Sequence, residues 1–367
     1  MKAFDNGIRY FVGAFFIFSG LIKVNDPVGT SIKLKEYFQV FSDDFGSFFE
    51  VFIPFSLELA VFIVVLEVIL GFTTILAYRM NINSWILLLL IIFFTFLTFY
   101  SAAFDKVTDC GCFGDAIPLT PFESFIKDLV LLALIIYIFI KRKTYKPLLK
   151  HPISDYVVMG ITIVMLALAI YAIQHLPYID FRPYNVGASI PDNMQPSAEY
   201  QYQYIMKKDG KKYKFDVYPA DTTYEFVEMK LLNPEAQPKI TDYSVWNEEG
   251  DFTEESFRGE KLLVIVENIV KADQDVFQEI NQLAEKLQEK VELMILTAND
   301  ERTFETYRHE YQLAIDYYYA DHTVLEAMIR SNPGLMLLKD GIVLGKWHHN
   351  DIPSDEKILE ILNNSTP

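Results

Sequence analysis

Cysteine is almost missing from this 367-residue chain. Cys110 and Cys112 are all there is, so no disulfide framework holds it together, and any thiol chemistry must use this one pair or borrow outside cysteines. A basic surplus is missing as well. Asp and Glu outnumber Lys and Arg 49 to 32, a formal net charge of −17, and a surface of that sign repels phosphates, which argues against nucleic acid as a partner. The excess sits in one half: residues 1–176 hold 14 acidic and 13 basic side chains, residues 177–367 hold 35 and 19. Histidine is scarce, with six copies. His348 and His349 are neighbours on an expected strand and should point to opposite faces, which spoils a shared metal site. His175 falls at the end of an apolar run and marks an interface, while His151, His309 and His322 read as surface residues.

What is abundant is long apolar sequence. Five stretches, near 7–24, 53–78, 84–104, 122–140 and 154–176, approach the roughly 20 residues that a helix needs to cross a bilayer. The first follows Lys2 and Arg9 as a secretory signal would, but it is filled with bulky Phe15, Phe16 and Phe18 and no A-x-A site follows, so it is read as retained. Lys2, Arg9, Arg79 and the cluster from Lys141 to Lys150 place the N-terminus on the cytoplasmic side. The opposite loops are rich in acids, among them Asp26, Glu36, Asp43, Asp44, Asp105, Asp109 and Asp115. Five spans then put loops 25–52 and 105–121, and everything after residue 177, across the membrane. In a bacterial inner membrane that side is the periplasm, where a cysteine pair can be used. The expected partners are the lipid bilayer and a periplasmic or envelope protein client.

Glu58, Glu67 and Lys127 fall inside or at the edge of these spans. A charge at bilayer depth is costly and is usually turned inward to a partner. Glu67 lies mid-span, and two roles stay open for it: a proton or quinone contact, or a carboxyl that fixes helix packing by hydrogen bonds. Glu58 and Lys127 lie near helix ends, where side chains can snorkel to the interface.

Chemistry is most legible in Asp109-Cys110-Gly111-Cys112-Phe113-Gly114-Asp115. Two cysteines around one glycine can close a small ring, since Gly111 tolerates backbone angles that other residues avoid. Such a disulfide departs from relaxed geometry and is easier to reduce. Asp109 and Asp115 disfavour the thiolate and so count against a strongly activated nucleophile. The roles open to the pair are redox exchange, a structural bond, or metal binding; the last is the poorest fit, because neither His nor a third Cys lies nearby.

These residues, with Phe18-Ser19-Gly20-Leu21-x-Lys23, Asp26-Pro27-Val28-Gly29, Leu66-Glu67 and Gly71, resemble the DoxX/MauE group of small four-helix membrane proteins. The resemblance covers residues 4 to about 145, and C-G-C-F-G is its most specific element. It implies a four-helix bundle over 1–150 and a redox role for Cys110 and Cys112. Members of the group are linked to maturation of a disulfide-rich periplasmic subunit and to membrane thiol or sulfur oxidation, and a quinone is the cofactor that such a membrane acceptor would bring. Here a fifth helix, 151–176, and a long extra domain follow; methylamine itself is not implied.

Beyond an extended exit segment around Pro177 and Pro183, residues 177–239 read as linker and a small β element, with Asp209-Gly210 as its hairpin turn. From 240 to 367 a short hairpin and then strands alternating with helices imply a central sheet covered on both faces. The order resembles a thioredoxin fold of the TlpA or peroxiredoxin type, with Pro333 where such folds carry a cis-proline. The departure is in the segment after the first core strand, Glu267-Asn268-Ile269-Val270-Lys271-Ala272-Asp273, which has no C-x-x-C. The expected fold class is thus an α-helical transmembrane bundle followed by a soluble α/β thioredoxin-like domain without catalytic cysteines. Two functions compete: a membrane thiol–disulfide redox or maturation protein acting through Cys110 and Cys112, and a non-enzymatic anchored assembly factor. Transport is weaker, since no repeat or interrupted helix pair is visible.

Overall fold

The computed structural model describes residues 2–104, 106, 107, 111, 113–287 and 290–365. The chain forms two compact units, divided between Phe181 and Arg182.

The first unit is all helix: α1 (Lys2–Asn25), α2 (Pro27–Phe45), α3 (Ser56–Leu76), α4 (Met80–Phe104), α5 (Pro121–Lys141) and α6 (Ile153–Gln174). Among the described residues, four helical stretches are long and apolar enough to cross a membrane: α1, α3 with the 3₁₀ turns leading into it from Ser47, α4 and α6. The run expected at 122–140 is also a helix of span length, α5, but Glu123, Lys127 and Asp128 take it out of that apolar set. Segment 25–52, expected as a loop, contains α2. Asp26 caps it by accepting from the Gly29 N–H at 2.8 Å, and Pro27 opens its first turn, where a missing N–H costs nothing.

Bilayer lipid gives helices no hydrophobic reason to associate, so close packing and polar contacts must hold them. Helix α1 runs antiparallel to α3 at a distance set by glycine. A Cβ added at Gly13 would lie 2.8 Å from the Gly71 carbonyl oxygen, and one at Gly71 would lie 2.7 Å from that of Gly13. Arg9 is buried and donates to the Thr74 and Ile75 carbonyls at 3.2 and 2.6 Å, closing the C-terminal end of α3. Helices α4 and α5 pair antiparallel, with Trp85 against Phe139 at one end and Phe99 against Phe125 at the other.

The second unit opens with a one-turn helix, α7 (Ile190–Asn193), and a three-stranded antiparallel sheet of β1 (Tyr202–Lys208), β2 (Lys211–Phe215) and β3 (Glu225–Leu231), ordered β2-β1-β3. Asp209 and Gly210 both take positive φ, 51° and 75°, as a tight hairpin turn requires. Then come β4 (Trp246–Asn247), β5 (Gly250–Asp251), β6 (Glu260–Val266), α8 (Phe277–Leu287), β7 (Glu292–Thr297), α9 (Glu301–Glu310), β8 (Tyr317–Tyr319), α10 (His322–Met328), β9 (Gly334–Lys339), β10 (Ile342–His348) and α11 (Asp355–Asn364). The large sheet is ordered β10-β9-β6-β7-β8-β4-β5. Strands β6, β7 and β8 are parallel, and β9 runs antiparallel to β6. Every residue of β6 from Lys261 to Val266 is buried, as a central strand covered on both faces must be. Val264 and Val266 pack with Phe277, Ile280 and Phe304, while Leu262 packs with Leu283, Ile358 and Leu362. Strand–helix–strand, then helix, two antiparallel strands and a final helix, with the Asn332–Pro333 bond cis before β9, is a thioredoxin-like fold.

Candidate functional site

A cavity of about 60 Å³ lies in the helical unit, lined by α1 through α5. Two ion pairs face it. Lys23 Nζ, from α1, donates to both oxygens of Glu67 on α3 at 3.0 and 2.8 Å and to Ser19 Oγ at 2.9 Å. The two side chains are only 8% and 4% exposed, so each charge depends on the other for what water would otherwise supply. Across the cavity, Lys127 and Asp128 of α5 pair at 3.1 Å, and Thr98 of α4 donates to the second Asp128 oxygen at 3.0 Å. Lys127 Nζ also lies 5.0 Å from the Phe113 ring centre and 5.9 Å from that of Phe15, within cation–π range.

The wall nearest the loop comes from α2, which supplies Thr30, Lys33, Leu34 and Tyr37. Tyr37 is tied to Ser101 of α4 at 2.7 Å, and Lys33 pairs with Glu36 at 3.2 Å. Gly111 completes the lining. Its φ is +61°, and a Cβ there would meet Lys33 Cγ at 3.2 Å, so both backbone and space favour glycine. Cys110 and Cys112 lie outside the described residues. Their neighbours Gly111 and Phe113 are described: the first lines the cavity and the second is buried beside Lys127.

The charged residues singled out in the sequence therefore part company. Glu67 is in the cavity. Lys127, expected to snorkel, is turned inward because Asp128 and two aromatic rings hold its ammonium there. Glu58 is exposed in the first turn of α3. Lys23 as the partner of Glu67, and Asp128, were not anticipated; the available signal was that an intramembrane carboxylate calls for a cation on a neighbouring span.

In the second unit the segment that follows β6 is held by the protein's own groups. The Ile269 N–H donates to Asn299 Oδ1 at 2.7 Å, and Asn332 Nδ2 donates to the Asn268 carbonyl at 2.8 Å. The Asp273 N–H donates to the Asn332 carbonyl at 3.1 Å, so that carbonyl, beside the cis-proline, is already engaged. Ser331 Oγ accepts from the His349 N–H at 3.0 Å. His348 and His349 do not face apart: β10 ends at His348, the chain turns, and the two rings come to 3.9 Å between centres. Burial holds the His349 imidazole below its ordinary value, against the opposing pull of Asp273.

Residues 1–141 match the MauE family model, described as methylamine utilisation protein MauE. Residues 200–232, the three-stranded sheet, match a domain of unknown function, DUF8463. The chain is 30% identical over 166 residues to Protein TlpB of Flavobacterium psychrophilum, which covers 42% of this chain and 41% of that protein; it thus spans about two fifths of that relative's length. A crystal structure of a thioredoxin-like protein from Bacteroides caccae aligns over 84% of each chain at 11% identity with a TM-score of 0.25. The thioredoxin-like assignment of the second unit rests on its strand order, and the MauE-like assignment covers the helical unit as far as the end of α5.

Proposed function

We propose that this is a membrane thiol–disulfide redox or maturation protein working through Cys110 and Cys112 on the periplasmic side of a bacterial inner membrane. The single observation that carries the proposal is that Gly111, between the two cysteines, lines a cavity faced by two ion pairs. Lys33 and Lys127 line the same cavity as Gly111, each paired with a carboxylate, Glu36 and Asp128. Asp109 and Asp115 in the same loop disfavour the thiolate, which suits a pair that exchanges rather than a strong nucleophile.

The chemistry is conservative in electrons. A client thiolate attacks the Cys110–Cys112 disulfide, giving a mixed disulfide and one freed thiolate. The client's second thiolate then displaces the remaining cysteine, leaving client disulfide and Cys110/Cys112 dithiol. One pair holds two electrons, so an acceptor, either a disulfide on a second protein or a membrane quinone, must take them before the next turnover. Glu67 with Lys23 ties α1 to α3 at the wall of this cavity.

The second candidate role is a non-enzymatic anchored assembly factor. It is favoured by the segment Glu267–Asp273, which lacks cysteine in a thioredoxin-like unit. Acid quench followed by alkylation with a mass tag, in native membranes, separates the two. Under the redox role the pair shifts between thiol and disulfide when clients accumulate, and Cys112→Ala traps a mixed disulfide through Cys110. A pair locked in one state, together with full function in the Cys110→Ala, Cys112→Ala protein, would make the cysteines incidental and leave the assembly role.

A further inference from the structure

Glu267, the first residue beyond β6, lies against two side chains of α10, His322 and Glu326. His322 Nδ1 is 3.3 Å from Glu267 Oε1, and its Nε2 is 3.5 Å from Glu326 Oε1. One ligand atom from each of the three lies within 4.8 Å of the others. His322 and Glu326 are four residues apart on one helix and so share a face. The helix start is fixed by Asp321, whose carboxylate accepts from the Thr323 N–H at 2.8 Å.

We propose that Glu267, His322 and Glu326 form a site for a divalent transition-metal ion, zinc foremost. An imidazole and two carboxylates are the donor set that such ions take, at bond lengths of about 2.0–2.2 Å, so that neighbouring ligand atoms around a tetrahedral ion lie about 3.4 Å apart. The two carboxylates meet opposite nitrogens of the His322 ring, so binding one ion requires the ring and a carboxylate to turn until a single nitrogen and both carboxylates share a centre. Between ions, the order of affinities for nitrogen and oxygen donors places zinc above manganese and ferrous iron. Three protein ligands leave a fourth position open, as in sites that bind a further ligand rather than purely structural ones. The side chains are 25%, 43% and 14% exposed, so ions in solution can reach them. The site stands at the end of the sheet strand where active thioredoxins begin their redox segment, and it does not depend on any role for Cys110 or Cys112.

The test uses the full chain in detergent with Cys110→Ser and Cys112→Ser, so that thiolates contribute no zinc. After chelator stripping and dialysis against Zn²⁺, elemental analysis is expected to find one zinc per chain. Co²⁺ as a probe should give a visible d–d band that zinc removes. Loss of an outer-shell partner alone weakens metal sites about 10–100-fold, so Glu326→Gln and, separately, His322→Ala should weaken binding by at least about tenfold, with unchanged near-ultraviolet circular dichroism. Glu326→Gln decides the matter should His322→Ala disturb the fold. No saturable zinc in the cysteine-free chain, or equal zinc in both variants, would overturn the site and leave three side chains that form ordinary ion pairs.

Discussion

In the helical unit the buried side chains include Glu67, Asp128, Lys23 and Arg9, whereas the centre of the seven-stranded sheet is filled by Val264, Ile265, Leu296 and Leu337. Where the sheet does bury a lysine, Lys261, its ammonium reaches across to Glu292 on β7, which is half exposed. The difference follows from what surrounds each unit. Helices in lipid gain little by adding apolar contacts, so polar pairs and close backbones give the bundle its specificity. A sheet in water is held by removing apolar surface, and a charge in its core would be a pure cost. The helical unit thus pairs the charges that face its cavity with one another, Lys23 with Glu67 and Lys127 with Asp128, whereas the buried Lys261 of the second unit meets a partly exposed carboxylate.

The largest effect that would sharpen this contrast is at Glu67. Glu67→Gln should cost about 3–5 kcal/mol, the usual result of leaving one buried charge without its partner, read as a lowered unfolding midpoint in detergent. Lys23→Met combined with Glu67→Leu should recover most of it, and a single-variant loss below about 1 kcal/mol would show that water already satisfies Lys23. In the sheet, Leu296→Ala should cost about 2–5 kcal/mol through lost burial and a cavity, with no rescue from any charge change; rescue there would erase the distinction between the units.

A smaller effect comes from pH. His349 in the folded chain is held below the roughly 6.5 of an unperturbed histidine, so the unfolded chain binds the proton first. Its contribution to stability is therefore present above about pH 6.5 and is lost as pH falls toward the folded value. Urea midpoints of the second unit should drop between about pH 7.5 and pH 5.5, and His349→Gln should flatten that slope; an unchanged slope would show that other groups set it. The smallest effect is at the surface. Lys286 and Asp355 pair at 3.2 Å with Lys286 63% exposed, and Lys286→Ala should change stability by no more than about 1 kcal/mol. A larger loss would mean that α8 and α11 depend on charge as the bundle does.

Much of the architecture could be read before any coordinates. Long apolar runs, the Asp209-Gly210 turn, the alternation of strands and helices from 260 onward and the missing C-x-x-C after β6 are local patterns, and local patterns act on the backbone where they stand. Helix α2 escaped notice because its charges, Lys33, Lys35 and Glu36, look like those of a loop. Its Asp26 cap and Pro27 start were the signal. His348 and His349 were misread because strict alternation was carried one residue past the end of β10.

By itself, then, the chain's sequence determined most of the helices and strands, which half is apolar, and that the chain's own thiol chemistry falls to one cysteine pair. Only the tertiary structure decided that Lys23 meets Glu67 across 44 residues, that Thr98 meets Asp128, that Gly111 lines their cavity, and that Glu267, His322 and Glu326 converge. Those meetings depend on how far apart two helices pack and on which way a strand end turns. A spacing rule within one segment holds no information about either, because the contact distance is set by the facing glycines, rings and carbonyls of another segment.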